Sequence, residues 1–261
     1  MSMGILPPYG AGSGGATSTS ITSTLAELRN YPNITQQYGV YVFDDFNFWW
    51  NGTSANNNAQ WCTNSTGTGA ASSIINPGTH TAQTGLLAMT TGSTSAGNNT
   101  MYAGYQFNWM SGLGDKGMVR YNVAVETLAT SANNFVVQLG LINANSIDNG
   151  GQFFDYSLSS PNWRYVGSTS GGKLKIDSGV PVVAGHYYDL GFTLDKNAIA
   201  NYYIDGNLVG TLDTIPTSAS GYAIGLKIVK TAGTTASRLL VDWVYGWLKN
   251  ATRINYYIPE P

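Results

Sequence analysis

Three glutamates (Glu27, Glu126 and Glu260), two histidines (His80 and His186) and one cysteine (Cys62) are the scarce groups from which this chain could build acid–base, metal or thiol chemistry. Cleaving a glycosidic bond takes two carboxyl groups on one face, which a strand supplies at even spacing. Glu126 is followed two positions on by Leu128 and Glu27 by Arg29, while Glu260 is the penultimate residue. Asp44 and Asp45 are adjacent, so on a strand they point to opposite faces and cannot flank one bond. Neither histidine sits in a ligand spacing such as H-E-x-x-H, and a single cysteine rules out thiolate zinc sites. His186 and Asp189 lie among many serines, but no G-x-S-x-G elbow presents a nucleophile. Asp148-Asn149-Gly150 and Asp213 offer oxygen ligands without forming a dense carboxylate loop for calcium. The expectation is a chain with no catalytic residue, no metal site and no cofactor.

Binding chemistry is better represented. Seven Trp and 17 Tyr supply ring faces of the kind that stack on pyranose sugars, with hydroxyl and amide groups to meet their edges. Trp109, Trp163, Trp243 and Trp247 fall in strand-like segments, where a large aromatic belongs to the core. Trp49, Trp50, Asn51 and Trp61 instead flank or lie in the polar stretch Asn51–Ser73, read as a long loop, and are the candidate glycan-binding residues.

Hydrophobic residues make up 43% of the 261 residues but charged residues only 10%, so the polar surface must consist of Ser, Thr, Asn, Gly and Tyr. The usual charged share is roughly 25%. A net charge of −2 and the lack of any basic run exclude a phosphate-neutralising surface, so nucleic acid is not an expected partner. Nor is a membrane, since no apolar run approaches the ~20 residues of a span. The N-terminus MSMGILPPYGAGSGG has no basic region followed by an apolar one, and the chain is expected to be made in the cytoplasm without a signal peptide. Cys62 has no intrachain partner and reads as a small buried hydrophobe.

Residues 1–38 are expected to form an arm. Its first 20 residues are rich in Gly, Ser and Thr and bury too little to offset the roughly 1–2 kcal/mol per residue that ordering a backbone costs. Only Ile5, Leu6, Pro7, Pro8 and Tyr9 can anchor it, with the two prolines pre-setting an extended docking segment. A capping box at Thr24–Glu27 predicts a short helical turn stopped before Pro32. From residue 39 to 250 the pattern is β throughout. Strands are expected at Gly39–Phe46, Leu86–Thr90, Met101–Trp109, Gly117–Thr127, Asn134–Ile142, Phe153–Leu158, Trp163–Thr169, Lys173–Asp177, His186–Asp195, Ala198–Ile204, Asn207–Asp213, Ala223–Lys230 and Ser237–Leu248. NYYIDGNLVGTL (Asn201–Leu212) is a hairpin with Asp205-Gly206-Asn207 at its turn. Residues 251–261 form a short tail.

In chain order, YVFDDF (Tyr41–Phe46), VQLGLI (Val137–Ile142), HYYDLGFTLD (His186–Asp195), YYIDGNLVGT (Tyr202–Thr211) and LLVDWVYGW (Leu239–Trp247) resemble the concanavalin A-like lectin/glucanase jelly roll. The form resembles that of bacteriophage virion proteins, and the likeness covers residues 39–250. It implies an all-β sandwich of two antiparallel sheets, one of them concave. Glucanases of this fold carry E-x-D-x-x-E on one strand, which this chain lacks. The role implied is a non-enzymatic virion protein, a phage head decoration or minor capsid protein. It would dock on other virion proteins through its arm and form a homo-oligomer, a trimer being one option. The alternative is a glycan-binding receptor-recognition module of a tail fibre or spike, with a host glycan as partner. An enzyme acting on polysaccharide through an unfamiliar carboxylate arrangement is a third class.

Overall fold

In VRYNVAVETL, strict alternation puts Val119, Tyr121, Val123 and Val125 on one side of a strand, and all four are fully buried. Arg120 and Asn122 on the other side are half-buried. The same period-two division recurs along the chain and builds two sheets that bury their inner faces against each other. The computed structural model describes residues 39–44, 46, 51–53, 61–75, 85–103, 107–108, 116–142, 151–169, 172–195, 199–213, 221–249 and 252–253.

One sheet has eight strands in the order β15 (Asn207–Asp213), β14 (Ile199–Ile204), β13 (Tyr187–Leu194), β8 (Lys116–Val125), β17 (Arg238–Lys249), β5 (Leu86–Thr91) and β4 (Ala70–Ile75), with β1 (Gly39–Asp44) also paired to β17. It is called the hairpin sheet below. The other, the wide sheet, has ten strands: β12 (Gly172–Pro181), β11 (Ser160–Thr169), β10 (Gln152–Ser157), β9 (Asn134–Ile142), β16 (Gly221–Ala232), β6 (Asn98–Ala103), β3 (Trp61–Thr66) and β2 (Asn51–Thr53), with β7 (Phe107–Asn108) added beside β16 and β18 (Thr252–Arg253) beside β7. Every pairing is antiparallel except β2 with β3. No helix occurs among the described residues.

The core is the filling between the sheets. Val119, Tyr121, Leu190, Phe192 and Tyr202 of the hairpin sheet meet Val137, Leu139, Phe154, Ile224 and Leu226 of the wide sheet. Each such side chain contributes about 1.5–3 kcal/mol by leaving water. Two buried tyrosines add polar ties across the gap. The Tyr121 hydroxyl lies 3.1 and 3.2 Å from the carbonyls of Gly140 and Gly225, and the Tyr202 hydroxyl 2.7 Å from that of Val166. Burial pushes both phenols well above their ordinary pKa.

The hairpin expected at Asn201–Leu212 is present as β14 and β15, closed by a two-residue turn. Asp205 (φ 52°) and Gly206 (φ 79°) both occupy the left-handed region, as a turn of this length requires, and Asn207 belongs to the strand. Asn51–Ser73 is corrected: it is not one long loop but contains β2, β3 and most of β4. Thr66-Gly67-Thr68-Gly69 carries the chain from one sheet to the other, using positive φ at both glycines. The expected Lys173–Asp177 strand is longer at both ends. The arm, its helical turn, Ile5, Leu6, Pro7, Pro8, Tyr9, Asp45, Trp49, Trp50, His80, Trp109 and Asp148 lie outside the described residues.

Candidate functional site

The outward face of the hairpin sheet carries three cross-strand rows. One runs Trp243, Asn122, Asp189; the next Tyr245, Arg120, Gly191, Tyr203, Leu208; the third Trp247, Met118, Thr193, Asn201, Thr211. Gly191 sits in the middle of this lattice without a side chain, and the gap it leaves is the floor of an open groove of about 340 Å³. Met118, Arg120, Asp189, Thr193, Tyr203 and Gly206 surround it. That volume is at the small end for a ligand site. A Cβ added at Gly191 would come 2.8 Å from the Arg120 Cγ, so the arginine stem already lies along one side of the floor.

Arg120 is held from two sides. Its Nε donates to Asp189 Oδ1 at 3.2 Å and its Nη2 to Asp189 Oδ2, the planar fork that favours a carboxylate. Its guanidinium carbon lies 5.7 Å from the centre of the Trp243 ring. The hairpin turn fixes the other partner. The Asp205 N–H donates to the Asp189 carbonyl at 2.8 Å, and Asp205 Oδ1 accepts the Asp189 N–H at 2.8 Å. A phenol, a bound ion pair, the Thr193 hydroxyl and a glycine floor thus converge on one opening.

The outward face of the wide sheet is different. Asp177, Arg164, Asp155, Gln138, Lys227, Thr100 and Asn64 are direct cross-strand neighbours in one polar row. At its centre Asp155, Gln138, Lys227 and Thr100 are all buried, so the row gives a ligand no open surface there. Asp155 accepts from Arg164 at 2.6 and 2.8 Å and from Lys175 at 3.1 Å. At the exposed end, the Gly179 N–H and the Asn162 amide hold the Asp177 carboxyl below its usual range.

Of the candidate glycan residues, Asn51 and Trp61 are brought side by side as register partners of β2 and β3. Trp61, however, is fully buried and packs on Phe46 with ring centres 6.1 Å apart, which corrects its assignment as a sugar platform: no ring face is left open. Its polar neighbours suggested an exposed loop, but its inward position on β3 decides. Cys62 is buried as expected, and burial raises its thiol pKa against a smaller opposing hydrogen bond from Tyr102. His186 meets Tyr188 edge to face with ring centres 4.5 Å apart, while Asp189 is committed to Arg120. Glu126 pairs with Arg238 at 2.9 Å. Among the described residues no three His, Cys, Asp or Glu gather where they could hold a metal ion. The groove residues Arg120, Gly191 and Tyr203 were not singled out from sequence, and Trp243 and Trp247, expected in the core, are corrected: both lie half-buried on the outward face of the hairpin sheet, in register with Asn122 and Met118. Alternation puts the three groove residues on outward faces, but the pairing of Arg120 with a residue 69 positions away depends on strand register.

No family model matches the chain, and no curated protein sequence matches it. Among solved structures, a protein of unknown function from Shewanella oneidensis is similar with a TM-score of 0.58 at 13% identity, covering 98% of this chain and 100% of that one. An endo-1,3-beta-glucanase from Streptomyces sioyaensis is similar with a TM-score of 0.52 at 12% identity, covering 81% of this chain and 96% of its own. A carbohydrate esterase from the Shiga toxin-encoding bacteriophage phi24B aligns with a TM-score of 0.45 at 14% identity, covering 73% and 90%. At such identities the likeness is one of fold. The sandwich is a concanavalin A-like jelly roll, as the sequence motifs implied.

Proposed function

We propose that this chain is a non-enzymatic glycan-recognition module and that the groove over Gly191 receives the sugar. The observation that carries this is the groove itself: an open, glycine-floored depression where the Tyr203 ring, the Asp189 carboxylate and the Thr193 hydroxyl face one space. A pyranose ring matches that set, stacking a C–H face on the phenol while its hydroxyls meet the polar rim. Likeness in fold to a glucanase is in keeping with it, though fold alone assigns no ligand. Absence of catalysis is part of the proposal because Asp155, Asp189 and Glu126 are each bound in ion pairs rather than set as a pair across one bond. The test is calorimetric titration with neutral and acidic oligosaccharides, together with turnover assays on the same panel. Tyr203→Ala should weaken binding by about tenfold or more while Tm stays within a few degrees, because the ring lies on the open face. If no sugar binds at millimolar concentration, or if reducing ends accumulate, the reading fails.

A second reading is favoured by the composition of residues 1–20, which can be anchored only at Ile5, Leu6, Pro7, Pro8 and Tyr9. In it the chain is a phage virion protein, on the head or the tail, attached through its arm to other virion proteins and assembled as a homo-oligomer. Deleting residues 1–20 should leave Tm nearly unchanged and remove the protein from assembled particles. Incorporation of the truncated chain at normal copy number would end this reading.

A further inference from the structure

The geometry points to a charge filter: the Arg120–Asp189 pair, backed by Asp205, makes the groove accept neutral sugars and refuse uronates and other acidic ones. This rests on the glycan reading above. Among the described residues the only guanidinium in the groove lining is Arg120, and its planar fork is already matched by both oxygens of Asp189. Trp243 at 5.7 Å covers it from another side, so it cannot swing to meet an incoming anion without leaving both partners. Both charged side chains are only about one-fifth exposed, at 20% and 22%, so water screens them less than a surface pair.

The pair leaves no net charge in the lining, and the nearest further charge is negative: the exposed Asp205, next to the lining Gly206, has its Oδ1 2.8 Å from the Asp189 amide nitrogen. A sugar hydroxyl can donate to Asp189 and still accept from a neighbour. A sugar carboxylate cannot donate to Asp189, finds the Arg120 fork already filled, and would have to be desolvated near the charge of Asp205. Selectivity of this kind is created by what the site repels as much as by what it attracts.

Asp189→Asn keeps the shape of the side chain and removes its charge, leaving the Arg120 guanidinium without a counter-ion beside the groove. Wild-type protein should bind neutral oligoglucosides about tenfold or more tighter than oligouronates of equal length. In Asp189→Asn that preference should reverse, and its oligouronate affinity should fall as salt is raised. Asp205→Asn, which the left-handed turn position tolerates well, should move the ratio the same way by a smaller factor. This second variant keeps the test sharp if Asp189→Asn folds poorly. Equal wild-type affinity for both sugar classes, or an unchanged ratio in both variants, overturns the filter and leaves glycan binding standing. Binding of neither class by any of the proteins overturns the glycan reading and the filter with it.

Discussion

Asp155→Asn should be among the more damaging single substitutions in the wide sheet, and its cost can be worked from the structure. The Asp155 side chain is 0% exposed and accepts three charged hydrogen bonds, two from Arg164 and one from Lys175. Asparagine fills the same volume but turns one acceptor into an N–H₂ donor aimed at a cation and strands both positive charges. Breaking a fully buried pair by removing one partner costs about 3–5 kcal/mol. Here Arg164 and Lys175 retain 16% and 31% side-chain exposure, so water partly compensates them and an estimate of about 2–3 kcal/mol is appropriate. For a chain of this size that corresponds to a fall in Tm of about 5–10 °C. Calorimetry and urea unfolding at neutral pH would measure it. Sugar affinity should be unchanged, because the groove lies on the opposite sheet. Replacing Asp155, Arg164 and Lys175 together by Leu, Met and Met should recover most of the loss, since apolar side chains of similar volume leave no stranded charge. A single-mutant cost below about 0.5 kcal/mol, the range of an ordinary surface change, would refute the reasoning.

Alkaline titration offers an independent check on the core. Burial, with Asp242 and Glu126 adding smaller repulsions, pushes Tyr187 up to about 12, and burial holds Tyr121 and Tyr202 well above the ordinary phenol value. Their folded pKa values exceed the unfolded value near 10, so the stability they contribute is complete below that pH and is lost as pH rises towards 12. Tyrosinate absorbance for these groups should therefore appear together with loss of the near-ultraviolet circular dichroism signal; ionisation of every tyrosine by about pH 10.5 with the signal intact would contradict their burial.

Alternation was the legible part of the fold. VRYNVAVETL shows a clear inner face although Ala124 interrupts its outer one, HYYDLGFTLD alternates throughout, and in YYIDGNLVGT the D-G step announces the turn because few residues other than glycine, Asn and Asp accept positive φ. The stretch Asn51–Ser73 failed for a physical reason. In WCTNST and AASSII the residues are small or polar on both faces, so period two leaves little hydropathy contrast, and the glycines that mark a corner look like those of a loop. Trp61 was misjudged with it, since the burial of a ring depends on which sheet its strand joins and not on its sequence neighbours.

The groove was less legible still, because its defining feature is a missing side chain. Gly191 lies in HYYDLGFTLD among residues that all suit a strand, and only register with Arg120 on one side and Tyr203 on the other turns that absence into a cavity. The hairpin explains why the cavity has a fixed shape. Its turn grips both backbone groups of Asp189 through Asp205, its Gly206 lines the groove, and its Tyr203 forms the wall facing Arg120. A tight turn with two left-handed residues loses little freedom once formed, so the carboxylate that orients Arg120 is held by strand backbone and not by a long loop. A clean hairpin with no catalytic group in it is thus accounted for: it holds an ion pair still, beside an opening whose selectivity depends on that pair staying intact.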